Sequence, residues 1–508
     1  MSKERPSISV SQSPNCTGLA FLGTGCQDHK NMALLTVEEY KQSLRDGRTV
    51  YYRGELVNDV TTHPVIGLAV EHAAIDYRMA HDENESSLAV VNDDNGRYSR
   101  YYKIPRTPED LLKRGALIER ATTLGGTLVV LIKEIGTDAL FALHLIAAHM
   151  DRSHGTNYLP RVEQFYAHCR DNDLAIAVAQ TDVKGDRGKG PSGQNHPDYY
   201  VRVTAQDADG ITLSGAKIHT SVSTNAHEII VLPTRNFSAG EESYAIACAV
   251  PANAPGLTML ASGYGRGGNE FEHPISAHHK MMETLTVFEN VKVPWDRVFL
   301  NGEVEMAGPL AKTFVEFHRF TAVSYKLPLV DLFVGASHLM AEFNGILKAG
   351  HVRDKLAKLI SYAQICRGMA REAAREAKTI DQIAVPNAEL INIAKLYFAT
   401  NYHQALAWVQ DIAGGLLVTG PSQEDLKDER LSALIEKYLG AAEISAENRL
   451  RLMNLIAEIT ATDFAGYQAV LAIHAEGSIE AEKMTIWRQH DIAPSVNYAK
   501  QLAGIKND

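Results

Sequence analysis

Long hydrophobic runs are missing from this sequence: nothing in it approaches the ~18–20 consecutive apolar residues that a membrane-spanning helix needs. Cysteine is scarce. The five copies, Cys16, Cys26, Cys169, Cys248 and Cys366, are odd in number, scattered and without a CxxC pair. That excludes a disulfide framework and points to free thiols in a reducing compartment, so a cytoplasmic location is expected. Positive charge is also in deficit. Fifty Lys and Arg against 61 Asp and Glu leave a net charge of −11, which denies a nucleic-acid partner the basic face it requires. The histidines, His278-His279 among them, lack partners at metal-ligand spacing, so no metal is expected. Internal repeats and low-complexity linkers are absent as well.

What is there is an ordinary globular composition, 45% hydrophobic and 22% charged, in a chain too long for one compact core. Residues 1–31 are polar and Ser-rich, and Gly18-Leu-Ala-Phe-Leu22 is too short for a signal core. They are expected to form a disordered tail, with Met32 as an alternative start. Residues 32–170 are patterned for helices. Thr107 is the expected N-cap of a helix that begins Pro108-Glu-Asp, and the runs Leu128–Ile132 and Leu140–Ala148 are spaced for buried helices. Residues 171–302 change texture: Tyr200-Val-Arg-Val and Ile211-Thr-Leu-Ser alternate around an Asp207-Ala-Asp-Gly210 turn. Strand-like Glu228–Leu232, Tyr244–Val250 and Thr284–Phe288 follow. From residue 303 to the end the expectation is a helical bundle. Val352, Leu356, Leu359, Ala363, Cys366, Ala370 and Ala373 step by 4, 3, 4, 3, 4 and 3, one stripe of an amphipathic helix. Further helices are expected over Asn387–Asp411, Ser432–Ala442 and Asn448–His474, packed together.

Two polar turns end apolar runs in the strand-rich segment. In Gln180-Thr-Asp-Val-Lys-Gly-Asp-Arg187, Gly185 allows a tight turn, and Lys184 and Arg187 set two cations beside backbone N–H groups. That suits a ring carbonyl, a reduced-flavin anion or a pyrophosphate. The plainer alternative is a solvated loop with an Asp186–Arg187 pair. Gly215-Ala-Lys-Ile-His-Thr-Ser221 is either a second ligand-binding turn or a polar strand end. Gln410-Asp-Ile-Ala-Gly-Gly415 ends a helical run, and its paired glycines either let a backbone approach a ligand or cap the helix. Gly263-Tyr-Gly-Arg-Gly-Gly268 fits GxGxxG. A dinucleotide fingerprint opens a helix inside a βαβ unit, however, and Asn269-Glu-Phe-Glu-His-Pro carries no helical stripe. It reads as a surface loop, and no NAD(P)H site is expected.

These turns, with Val287-Phe-Glu-Asn-Val291 and Pro294-Trp-Asp-Arg-Val298, resemble in order the motifs of the 4-hydroxyphenylacetate 3-hydroxylase / 4-hydroxybutyryl-CoA dehydratase family, from about Met32 to Ile505. Val183 departs from the family loop, which usually has proline there. The resemblance implies an α+β, acyl-CoA-dehydrogenase-like fold: N-terminal α-domain, middle β-domain as flavin shelf, C-terminal bundle. It also implies flavin contacts from Gln180, Thr181, Lys184, Asp186 and Arg187, and from His219, Thr220 and Ser221. Gly414 and Gly415, and more weakly Gly477-Ser478, are implied to reach FAD of a neighbouring subunit in a homotetramer.

Cluster-bearing dehydratases of the family hold a [4Fe–4S] centre with three cysteines and a histidine. Alignment on Ile135-Gly-Thr-Asp-Ala139 and His318-Arg319 puts Val130, Glu134 and Tyr325 at the cysteine places. A glutamate used near the flavin becomes Leu471, although an acid remains at Glu283. Iron–sulfur sites need thiolates, so no cluster is expected. The retained His318 corresponds to the histidine that deprotonates the phenol in hydroxylating relatives, a task suited to imidazole; a structural histidine is the alternative. Lys326 matches a cation of both branches and would bind a substrate anion or oxyanion, or else be an ordinary solvated or salt-bridged lysine. Val130, Glu134 and Val178 replace the Arg, Tyr and His of hydroxyphenylacetate hydroxylases, implying a more apolar pocket around substrate-binding Val130 and Glu134. The resemblance therefore implies a two-component monooxygenase. It would hydroxylate a phenolic or related ring with O2 and FADH2 delivered by a separate, transiently bound reductase. The alternatives are a cluster-free CoA-ester isomerase, dehydratase or dehydrogenase, and a flavin-binding paralogue without turnover. FAD against FMN stays open.

Overall fold

The computed structural model describes residues 34–264, 267–441 and 444–505. The expected tail over 1–31, Cys16 and Cys26, and Gly265-Arg266 of the glycine-rich loop lie outside the described residues.

Helices flank two sheets. A six-stranded sheet runs in the order Glu55–Leu56, Val50–Tyr52, Leu257–Ser262, Glu283–Pro294, Gly210–Lys217 and Arg202–Gln206. A four-stranded sheet runs Val298–Asn301, Ile246–Pro251, Glu228–Val231 and Ile176–Ala179. Ile176–Ala179 and Glu228–Val231 pair in parallel and are buried along their whole length. Both faces of these strands are covered, so they read in sequence as continuous apolar runs. Glu283–Pro294 instead alternates between buried and more exposed positions. It bulges between Phe288 and Val291, where Asn290 has φ +56°.

The C-terminal helices begin with the 40-residue Val304–Phe343, which packs on Gly350–Arg375, Ala388–Ala413, Glu134–His154 and Pro108–Leu124. The stripe from Val352 to Ala373 is buried at every expected position. Thr107 caps Pro108–Leu124 as expected: its Oγ1 accepts the Asp110 N–H at 3.2 Å, while Asp110 accepts the Thr107 N–H at 3.0 Å.

Three expectations need correction. Leu128–Ile132 is not helical. Gly126, Thr127 and Leu131 take φ of +62°, +74° and +60°, outside any right-handed helix. The run is a buried connection whose carbonyls bond elsewhere: Val129 O with His72 Nε2 at 2.9 Å, and Ile132 O with the Ile176 N–H at 2.9 Å. The N-terminal segment is not purely helical either, because Val50–Tyr52 joins the six-stranded sheet in parallel with Leu257–Ser262. Asn448–His474 is two helices, Ala446–Thr460 and Asp463–His474, with the second begun at Thr462. Residues 270–278, after the glycine-rich loop, form turns with no helix.

Candidate functional site

The two polar turns are stitched together by one buried ion pair. Asp182 and Lys217 are 2% and 1% exposed. Lys217 Nζ lies 2.8 Å from Asp182 Oδ1 and donates to the carbonyls of Gln180 (2.8 Å) and Leu232 (2.9 Å). Asp182 also accepts the Val201 N–H at 2.9 Å and the Thr234 hydroxyl at 2.5 Å. The Ile218 N–H donates to Thr181 O at 2.8 Å. Burial pushes the Lys217 ammonium down, and Asp182 opposes that.

This frame fixes the backbone of both turns in left-handed conformations: φ +72° at Lys184, +53° at Gly185 and +60° at His219. A Cβ at Gly185 would stand 2.4 Å from the Tyr199 ring, so only glycine fits there. Gln180 and Thr181 are half-buried. Asp186 does not pair with Arg187. It accepts the Gly188 N–H at 2.9 Å and faces Lys189 at 3.5 Å, because the turn directs it along its own loop. Arg187 is exposed and makes no ion pair among the described residues. Burial, followed by the Arg187, Lys217 and Arg235 charges against Asp182, lowers Lys184; burial, followed by Lys184, Arg187 and His474, lowers His219. Positive charge therefore accumulates on this face.

Thr220 is fully buried, and its hydroxyl finds no partner among the described residues. Ser221 is engaged: it donates to both oxygens of Glu283 at 3.0 and 2.8 Å, and the Tyr467 hydroxyl donates to Glu283 Oε1 at 2.8 Å. Tyr264 stacks on Tyr467. Burial raises the Glu283 carboxyl to about 6. Gly414 and Gly415 lie at the end of Ala388–Ala413, exposed and with open space around them, and the Gly414 N–H also closes that helix on Gln410 O at 2.9 Å.

His318 lies in the middle of Val304–Phe343 and is 7% exposed. Its Nδ1 is 3.1 Å from Asp138 Oδ2, and the Phe314 ring stacks on it. Arg114 Nη2 holds the other Asp138 oxygen at 2.7 Å. Lys326, two turns on, is buried rather than solvated, 3.0 Å from Glu476 Oε2 and 3.1 Å from the Tyr325 hydroxyl. Tyr325 donates to Glu476 as well, and Lys395 stands between Glu476 (3.8 Å) and Glu482 (3.2 Å). Burial drives Lys326 well down and Glu476 well up.

Tyr325, Lys326 and Leu471 line one narrow cavity with Leu128, Val129, Leu329, Phe398 and Gln468, whose Nε2 has no partner among the described residues. Val130, Val178 and Glu134 are fully buried and are not among its walls; neither is His318. Glu134 Oε2 accepts the Lys133 N–H at 3.1 Å, Oε1 has no partner among the described residues, and burial raises its pKa. Among the described residues no group of three or more His, Cys, Asp or Glu could hold a metal, and no helix is long and apolar enough to cross a membrane.

Several residues of the site were not singled out from sequence: Asp138, Arg114, Glu476, Gln468, Tyr264 and Tyr467. Asp138 was visible only as an alignment landmark, and Glu476 only through its neighbour Gly477.

Residues 36–300 match the family pattern described as the 4-hydroxyphenylacetate 3-hydroxylase N terminal, and residues 307–504 its C terminal. The chain belongs to the 4-hydroxyphenylacetate 3-hydroxylase family. Within it, the chain is 31% identical to the 4-hydroxybutyryl-CoA dehydratase/vinylacetyl-CoA-Δ-isomerase of Clostridium aminobutyricum, covering 93% of this chain and all (100%) of that one. It is 31% identical to the 4-hydroxyphenylacetate 3-monooxygenase oxygenase component of Thermus thermophilus, covering 85% and 90%. An oxygen-tolerant archaeal 4-hydroxybutyryl-CoA dehydratase from N. maritimus superposes with a TM-score of 0.87 at 30% identity, covering 94% and 96%. The oxygenase component of 4-hydroxyphenylacetate 3-monooxygenase complexed with FAD gives 0.86 at 28%, covering 92% and 98%. Family members thus include both oxygenases and dehydratases, on one α+β fold.

Proposed function

We propose that this family member is the oxygenase of a two-component, FADH2-dependent monooxygenase that hydroxylates a phenolic or related aromatic substrate with O2. A separate reductase supplies the reduced flavin in transient contact, and the enzyme works in the cytoplasm as a homotetramer. What supports this reading is the family resemblance, which puts Val130, Glu134 and Tyr325 at the places of the cluster-bearing relatives' cysteines, together with His318, whose Nδ1 is hydrogen-bonded to Asp138.

The residues present fit a flavin. Thr220 offers a buried, unpartnered hydroxyl, the Lys184–Arg187 face offers cations, and Gly414-Gly415 offers open backbone for the distal half of FAD. Reduced flavin, when bound, supplies two electrons to O2 and so makes one oxygen electrophilic. The chain's own part would be to hold the ring through Lys184, Arg187 and the Thr220 hydroxyl. His318 takes the phenol proton at Nε2, and the resulting phenolate ring carbon is the better nucleophile.

The alternative, a cluster-free CoA-ester isomerase, dehydratase or dehydrogenase, draws on Glu283: a buried carboxyl with a pKa of about 6 beside Ser221 is a usable acid–base group. Rapid mixing of the photoreduced FAD complex with O2, with 4-nitrophenol as probe, separates the readings. Oxygen-dependent hydroxylation supports the first, anaerobic bleaching of oxidised FAD by a CoA ester the second, and neither response the paralogue without turnover.

Two expected results follow from the site. Reduced FAD should bind more tightly than oxidised FAD, since Lys184 and Arg187 favour the anionic form; equal affinities in anaerobic titrations would refute this. Anaerobically purified protein should contain no stoichiometric iron or acid-labile sulfide. Of the described cysteines, Cys169, Cys248 and Cys366 are all buried with raised pKa, the last two to about 12, so they are poor thiolate ligands. An iron and sulfide assay at protein stoichiometry would overturn it.

A further inference from the structure

We infer that Asp138, itself clamped by Arg114, is the positioning residue that fixes the tautomer of His318 and leaves Nε2 as the free base. The inference rests on the reading of His318 as the base that deprotonates substrate. Asp138 is fully buried on Glu134–His154, and His318 is on the helix packed against it, 180 residues away in sequence. One Asp138 oxygen is 3.1 Å from His318 Nδ1, and the other accepts from Arg114 at 2.7 Å. The Arg114 guanidinium is in turn held by Thr137 Oγ1 (2.8 Å), Glu134 O (2.9 Å) and Tyr101 O (3.0 Å).

The chemistry follows from these contacts. The Arg114 guanidinium donates to one Asp138 oxygen and leaves the other as an acceptor facing His318, so Nδ1 carries the hydrogen. Nε2 then holds the lone pair, and among the described residues no hydrogen bond engages it. When a substrate O–H bond breaks, the proton forms a bond to Nε2 and the electron pair stays on the phenolate oxygen. The imidazolium so formed sits against the Asp138 charge, which stabilises it, and later loses its proton to solvent. Phe314 stacks on the ring and, with Asp138, removes its freedom to turn. An asparagine at 138 would keep the shape but present an N–H to Nδ1, which places the hydrogen on Nε2 and blocks the base.

The test uses the FAD-loaded protein. Histidine 15N spectra should show the resonance lost in His318→Ala as the Nδ1–H tautomer; the Nε2–H tautomer would overturn the inference, with no substitution at Asp138 involved. In turnover of unsubstituted phenol, which stays protonated at neutral pH, Asp138→Asn should cost ~10-fold or more, bounded by the ~10²–10⁴-fold that a general base supplies. In a His318→Ala background the same substitution should cost nothing further. An equal cost in both backgrounds makes Asp138 merely structural, and no cost in the parent background with His318→Ala still slow removes the positioning role alone. A His318→Ala enzyme as fast as its parent removes the functional reading itself.

Discussion

Replacing His318 by alanine should slow hydroxylation by ~10²–10⁴-fold, the usual worth of a general base, while flavin binding stays intact. The two effects separate because the residues occupy different parts of the molecule. The turns at Gln180–Arg187 and His219–Ser221 are fixed by Asp182 and Lys217 in the strand-rich segment, whereas His318 is carried by Val304–Phe343. With no base to draw off the phenol proton, the ring stays a poor nucleophile and reducing equivalents should appear as hydrogen peroxide instead of product. The measurement is the ratio of peroxide to hydroxylated product per FADH2 consumed, alongside FAD titration of the same variant. Hydroxylation at the parental rate across neutral pH would make His318 structural. Loss of FAD binding would mean that cofactor and substrate sides had been exchanged.

The elements that were legible in the sequence are those whose burial has a period. The stripe from Val352 to Ala373 was read correctly because each member faces the same neighbours on every turn. The Asp207–Gly210 turn was legible because its side-chain chemistry is local: the Asp207 carboxylate caps the Asp209 and Gly210 N–H groups at 3.0 and 3.1 Å. Leu128–Ile132 misled for the opposite reason. Five apolar residues in a row say only that the segment is buried, and here an irregular backbone is held by His72 and Ile176 from elsewhere in the chain.

The site divides the same way. Turn residues at Lys184, Gly185 and His219 announce themselves through polarity and glycine, and the family motif order points to them. Their supports do not. Asp138 meets His318 across 180 residues and Glu476 meets Lys326 across 150, and no local pattern marks a carboxylate whose partner lies that far away. Lys326 also shows why residue type alone underdetermines a role. The same lysine could have been solvated, yet it lies beside Glu476 and Tyr325 at the wall of a mostly apolar cavity. A substrate anion would therefore have to compete with an internal partner, which favours a neutral ring.

Asp182→Ala should destabilise the fold by ~3–5 kcal/mol, the cost of breaking a buried pair from one side, and flavin affinity should fall with it. Lys217 would be left 1% exposed with only the Gln180 and Leu232 carbonyls for its ammonium. The Val201 N–H would lose its acceptor too, while the Thr234 hydroxyl keeps the Gln180 carbonyl at 2.6 Å. Part of the cost can be relieved, because burial already pushes the Lys217 pKa down and the neutral amine is then the cheaper form. Adding Lys217→Met removes the stranded cation, and replacing both members of a buried pair with apolar groups is often near neutral. Denaturant midpoints should therefore recover in the double variant. FAD binding should not, since the Gln180 carbonyl loses the cross-link that registers one turn against the other. A single variant as stable as the parent would show that the pair holds nothing. Recovery of both stability and FAD affinity in the double variant would show that the turns keep their shape without it, through the Ile218–Thr181 backbone bond alone.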